Sequence, residues 1–124
     1  MLNRARTLMM AAVCAAAALG ASQADAHARL LASSPAADAV LKAPPKTITL
    51  TFNEKLAPAF SRFELTMTEH GGMKVPVKTT VSKDRKSITG VPQGQMASGA
   101  YKIAWTAAGA DGHRMTGEVR FKIG

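Results

Sequence analysis

Thr47-Ile48-Thr49-Leu50-Thr51-Phe52 is the stretch from which the fold can be read. Threonine and apolar residues alternate without a break, so Ile48, Leu50 and Phe52 share one face of an extended segment and the threonines share the other. A helix would scatter these residues around its circumference, whereas a period of two buries one side of a strand. The same arrangement recurs in Arg62-Phe63-Glu64-Leu65-Thr66-Met67-Thr68-Glu69, with Phe63, Leu65 and Met67 inward. It returns twice near the C-terminus. Tyr101, Ile103 and Trp105 alternate with Lys102, Ala104 and Thr106, and Val119, Phe121 and Ile123 alternate with Glu118, Arg120 and Lys122.

Shorter strands are expected at Arg29 to Ala32, closed by Ser33-Ser34-Pro35, at Val75 to Val81 and at Ser87 to Val91, with Asp84 and Gly90 as turn residues. Beyond residue 26 no run of about 10–15 residues keeps a helical period, and no internal repeat is present. About seven short strands with frequent turns is the pattern of an all-β Greek-key β-sandwich of the immunoglobulin-like kind. Phe52, Phe63, Trp105 and Phe121 are the large side chains expected in its core.

Upstream of these strands lie Arg4 and Arg6, an apolar run from Leu8 to Leu19, and the small residues Ala24-Asp25-Ala26. Together they read as a secretory signal peptide. The run stops well short of the roughly 20 apolar residues that span a bilayer, so cleavage after Ala26 is expected rather than stable membrane anchoring. On this reading residues 1–26 are the signal and residues 27–124 form a single sandwich domain.

Cleavage would remove Cys14, the only cysteine. The exported domain then has no disulfide and no thiolate, which excludes zinc-finger, iron–sulfur and blue-copper chemistry. The full chain carries 16 Lys+Arg against 8 Asp+Glu, a net charge of +8. The cations are spread along the chain, with one tight cluster of Lys83, Arg85 and Lys86 around Asp84, and few aromatic residues could stack on bases. A nucleic-acid partner is not expected.

Three histidines remain, His27, His70 and His113, and the first would open the processed chain. An N-terminal histidine offers its α-amine and its imidazole Nδ1 to one ion in a small chelate ring, a donor pair suited to the tetragonal preference of Cu(II). Asp111-Gly112-His113 lies between the last two strands. If that segment is extended, Asp111 and His113 project to the same side and could complete a site of three nitrogens and one oxygen. Taken singly, Asp-Gly is a favoured turn dipeptide and His113 a surface histidine. Their conjunction with an exported, cysteine-free domain is what points to metal.

From His27-Ala28-Arg29-Leu30 through Ser33-Ser34-Pro35-Ala36, Thr51-Phe52-Asn53-Glu54, Pro58-Ala59-Phe60-Ser61 and Gly99-Ala100-Tyr101, the mature chain resembles the periplasmic copper-binding (copper resistance) CopC family. The most specific part is the ending, Trp105 followed by Asp111-Gly112-His113-Arg114-Met115-Thr116-Gly117. The resemblance implies a cupredoxin-like sandwich in the periplasm that binds one Cu(II) per mature chain through the N-terminal amine and imidazole of His27, with Asp111 and His113. Glu54 matches an acidic position near the copper site and is assigned an orienting role behind the ligands. The plainer reading of Glu54 is a carboxylate ending a strand beside Lys55. Some members carry a methionine-rich loop for Cu(I), but here only Met67 and Met73 flank His70. His70 and Met73 are therefore expected to form at most a weak accessory site.

The function implied is sequestration or delivery of Cu(II) by a monomer without turnover, with an inner-membrane copper transporter as a candidate partner. Two other readings compete. A histidine-brace-type copper oxygenase also uses an N-terminal histidine on a β-sandwich, but Asp111 would fill a position that oxygen needs. A metal-free adhesion or chaperone sandwich would be indifferent to copper.

Overall fold

The alternating segments form strands in the computed structural model, which describes residues 27–124; the signal segment expected at 1–26, with Cys14, lies outside the described residues. In chain order the strands are β1 Leu30–Ser34, β2 Val40–Leu41, β3 Ile48–Phe52, β4 Arg62–Met67, β5 Met73–Val75, β6 Val77–Val81, β7 Ser87–Pro92, β8 Gly99–Ala108 and β9 Arg114–Ile123. They build two stacked sheets, ordered β1-β3-β7-β6 and β2-β9-β8-β4-β5. Neighbours in each sheet are mostly distant in sequence, so the chain repeatedly crosses between the layers. The fold is an all-β Greek-key sandwich.

Two strands beyond the seven expected have local causes. Val75 to Val81 is divided at Pro76, which has no amide hydrogen for a ladder. On its near side β5 pairs with β4, and on its far side β6 pairs with β7 in the other sheet. The added β2 is two residues long and runs parallel to β9, with Val40 opposite Lys122. Two residues carry no readable period. The first strand also begins and ends later than expected, and an irregularity between Leu30 and Ala32 leaves Leu31 exposed.

Gly90 is not a turn residue. It lies inside β7 opposite Ile48 and Thr79, where an added Cβ would fall within 3.0 Å of the Phe63 ring and of Val77. The position is glycine because the facing sheet fills the space a side chain would need.

Ile48, Leu50 and Phe52 of β3 are buried against Phe63, Leu65, Tyr101, Ile103, Trp105, Val119 and Phe121 of the facing sheet. Each such side chain contributes about 1.5–3 kcal/mol relative to exposure. Phe52 and Trp105 join the layers edge to face, with ring centroids 5.1 Å apart. Trp105 in turn covers Gly117, its partner on β9.

Register fixes what lies at each end. Leu30 opposes Phe52, Thr51 opposes Ser87 and Ala108 opposes Arg114, so the start of β1, the end of β3, the β6–β7 turn and the β8–β9 turn share one end. Met67 opposes Tyr101, which sends the β4–β5 loop with His70 to the other.

Candidate metal centre

His27 enters this end through a strap made by Asn53. The Asn53 side chain accepts a hydrogen bond from the Arg29 amide at 2.6 Å and donates one to the His27 carbonyl at 3.3 Å. The Asn53 amide donates to the Arg29 carbonyl at 3.1 Å, and Ala28 between them is buried. The backbone next to His27 is therefore held on the end of β3.

Across from it, β8 and β9 are joined by a tight turn. The Gly112 amide donates to the Gly109 carbonyl at 3.0 Å, and the Gly109 amide to the His113 carbonyl at 3.3 Å. Gly112 adopts φ +81°, a left-handed conformation that glycine accepts without strain. The segment is thus a turn and not the extended piece expected. Asp111 and His113 meet because Asp111 Oδ1 accepts the His113 amide at 3.0 Å, the self-closing contact aspartate makes in turns. Ser61 supports the turn from below: it is buried, and its hydroxyl accepts the Ala108 amide at 3.1 Å.

Asp111 Oδ2 then lies 3.0 Å from His113 Nδ1 and 3.7 Å from His27 Nδ1. The imidazole centroids are 5.0 Å apart. One donor atom from each of the three residues falls within 4.8 Å of the others. Donors sharing one ion at bonds of about 2.0–2.2 Å sit roughly 3–4 Å apart, so rotamer adjustment of well under a residue length closes the set. Two imidazoles and a carboxylate suit a borderline divalent ion such as Cu(II). Side-chain exposures of 46% for His27, 25% for Asp111 and 68% for His113 leave the donors open to exchange.

The Asp111 carboxyl is held below the usual carboxylate range. The His113 amide hydrogen bond is the main cause; burial opposes it as the next effect in size, and the charge and hydrogen bond of the His113 ring and the charge of His27 add to the lowering. It is a donor already free of its proton.

Glu54 does not join the three converging residues. Its Oε1 is buried without a hydrogen-bond partner among the described residues. Glu54 lies in the bend that follows β3, next to Asn53, whose side chain donates to the His27 carbonyl. His70 and Met73 belong to the opposite end of the sandwich, and Met67 is a core side chain. They cannot share an ion with His27.

Asn53 and Ser61 were not singled out from sequence. The available signal was positional: Asn53 is the polar residue where the threonine–apolar alternation stops, and Ser61 immediately precedes the alternation of β4.

A two-layer sandwich with imidazole and carboxylate donors gathered at one end defines a class of small β proteins suited to a single metal ion. The CopC domain matches residues 30–124, and the chain belongs to the CopC family. It is 37% identical over 123 residues to copper resistance protein C of Xanthomonas campestris pv. juglandis, covering 95% of this chain and 96% of that protein. The crystal structure of PcoC, a methionine-rich copper resistance protein from Escherichia coli, is similar with a TM-score of 0.73 at 36% identity, over 80% of this chain and 100% of PcoC. A 100-residue match at 31% identity relates 80% of this chain to 18% of the copper transport protein CutJ of Bacillus subtilis (strain 168).

Proposed function

We propose that this chain is a copper-binding protein that holds one Cu(II) per processed chain and sequesters or delivers it in the periplasm. The observation that carries the reading is the convergence of His27, Asp111 and His113 donor atoms within 4.8 Å. The printed roles of the relatives, copper resistance and copper transport, agree with it. Neither role requires turnover, and the reading assigns the chain none.

In the unprocessed chain the His27 backbone nitrogen is an amide. Cleavage after Ala26 would make it an amine, adding a fourth donor one chelate ring away from Nδ1. Glu54 would then have a role. A buried carboxylate oxygen without a donor is costly, and the new amine beside Ala28 is a donor of the right charge. Glu54 would orient that amine without binding the ion.

Asp111 is already ionised, whereas imidazole and amine donors must be free of protons to bind, so affinity falls in acid through the nitrogens. Hard and borderline donors favour Cu(II) over Cu(I), so reduction would release the ion. Delivery to an inner-membrane copper transporter is supported by the similarity of this chain to part of CutJ.

The test is a Cu(II) titration followed by electron paramagnetic resonance on two chains, one beginning at His27 and one with an alanine ahead of it. Tight one-to-one binding with a tetragonal, nitrogen-rich signal is expected for the first, with strong weakening in the second. Equal binding by both would refute the N-terminal chelate.

A further inference from the structure

The end of the sandwich that carries the donors also carries an unpaired positive rim. The segment Glu54 to Ala57 runs between two turns. On one side the Leu56 amide donates to the Arg85 carbonyl at 2.7 Å, and on the other the Ala57 amide donates to the Ala108 carbonyl at 2.8 Å. Leu56 also bridges to Gly109. Two strand spacings, about 10 Å, therefore separate the backbone of the β6–β7 turn from that of the β8–β9 turn.

Lys83, Arg85 and Lys86 on the first turn are exposed, and the fold adds Lys55 from the intervening segment. The one acid among them, Asp84, is exposed as well, accepting from the Ser82 hydroxyl and the Lys86 amide and lying within reach of the Lys86 charge, and the four cations outnumber it. On the donor side Arg114 lies 4.8 Å over the ring of Phe60, which is half exposed. Among the described residues none of these five cations makes an ion pair. Three cations on the outer face of the larger sheet do, Lys74 with Glu64 and Lys102 and Arg120 with Glu118, whereas Arg62 and Lys122 on that face do not.

A cationic rim does not help a site capture a free divalent cation, since at this range the rim repels it. It does match a negatively charged surface. Phe60 under Arg114 adds an apolar and cation–π contact of the kind found at the centre of protein interfaces.

We propose that this end of the sandwich is a docking face for an acidic protein surface, with the Lys55, Lys83, Arg85 and Lys86 cluster steering and the Phe60–Arg114 pair seating the partner beside the open donors. The proposal rests on the copper reading, because a partner docked here reaches His113, the most exposed of the donors, and can supply ligands of its own. A phosphatidylglycerol headgroup matches the charge but would bring no nitrogen or sulfur ligand to the ion. The described residues include no helix long and apolar enough to cross a membrane.

The experiment uses the chain beginning at His27, which holds every strand and the whole core described above. An oligoglutamate peptide serves as the probe in a nuclear magnetic resonance titration at low and physiological salt. Shifts are expected to concentrate on the β6–β7 turn, Lys55, Phe60 and Arg114. The triple variant Lys55→Glu, Lys83→Glu, Lys86→Glu should weaken binding at least about tenfold, while the equal charge change Lys42→Glu, Lys46→Glu, Lys78→Glu costs less than about threefold. Shifts spread over all the lysines, or equal losses in both triples, would overturn the proposal by reducing it to net charge. Binding to phosphatidylglycerol vesicles through the same residues, with none to the peptide, would overturn the protein partner. A Cu(II) titration of the same proteins is read separately. A normal copper signal with no docking refutes this inference alone, and absence of copper binding in the unsubstituted chain refutes the metal reading.

Discussion

Asp111 grips His113 twice: Oδ1 accepts its amide at 3.0 Å and Oδ2 lies 3.0 Å from its Nδ1. One carboxylate thus closes the β8–β9 turn with one oxygen and faces the histidine cluster with the other. Substitution can separate the two roles. Asp111→Asn keeps an oxygen for the His113 amide but loses the anionic donor. Its copper-free melting temperature should stay close to that of the parent, while Cu(II) affinity drops about tenfold or more in a competition titration. An asparagine variant that binds copper as tightly as the parent would remove Asp111 from the ligand set.

Asn53 acts on the other half of the site. Asn53→Ala deletes the acceptor for the Arg29 amide and the donor to the His27 carbonyl. Two exposed hydrogen bonds contribute little to global stability, about 1 kcal/mol in urea unfolding. Copper affinity should fall further than that loss explains, because His27 is no longer held on the end of β3. A variant with the stability loss but unchanged affinity would make Asn53 purely structural.

Acid should loosen the β6–β7 turn. Asp84 is held below its ordinary value of 3.8 chiefly by the Ser82 hydroxyl and then by the Lys86 amide; burial opposes them, and the Lys86 charge adds a lesser lowering. A carboxyl whose pKa is lower in the folded state contributes stability above its unfolded pKa, and that contribution is lost as pH falls through the lowered folded value. The gap in melting temperature between the parent and Asp84→Asn should therefore be widest above the ordinary carboxylate range and close as pH falls below it. A gap that stays constant across that window would mean the charge of Asp84 is not what holds the turn.

Gly117 is required by Trp105. A Cβ at position 117 would lie within 3.0 Å of the indole, which is itself fixed edge-on against Phe52. Gly117→Ala should cost about 1–3 kcal/mol in urea unfolding with the native circular dichroism retained. Gly94, with open space around it, is the control, and Gly94→Ala should be close to neutral. Equal effects at the two positions would contradict the packing account.

The strands β3, β4, β8 and β9 were legible because each buries one face for several residues, and only a period of two does that. Phe52, Phe63, Trp105 and Phe121 were placed in the core by the same rule, and all four are buried. The division at Pro76 was not legible from alternation, since Val75, Val77 and Val81 keep their phase while the chain changes sheets. Nor was the role of Gly90, whose small size answers to Phe63 in another layer. Local pattern reports which face of a strand is apolar and says nothing of what stands opposite.

The candidate site divides in the same way. Residue types alone suggested its chemistry: a histidine directly after the proposed cleavage point, an aspartate and a histidine two apart, and no cysteine from residue 27 onward. That His70 and Met73 lie at the far end was decided by the register of β4 against β8. Tertiary structure alone decided that His27 and Asp111 come within 3.7 Å, that Asp111 reaches His113 through a turn, and that Lys55 joins the Lys83 to Lys86 cluster on the same end. The reason is physical. Alternation is written in neighbouring residues, whereas convergence depends on how two sheets register against each other, and that register is set by core packing summed over the whole domain.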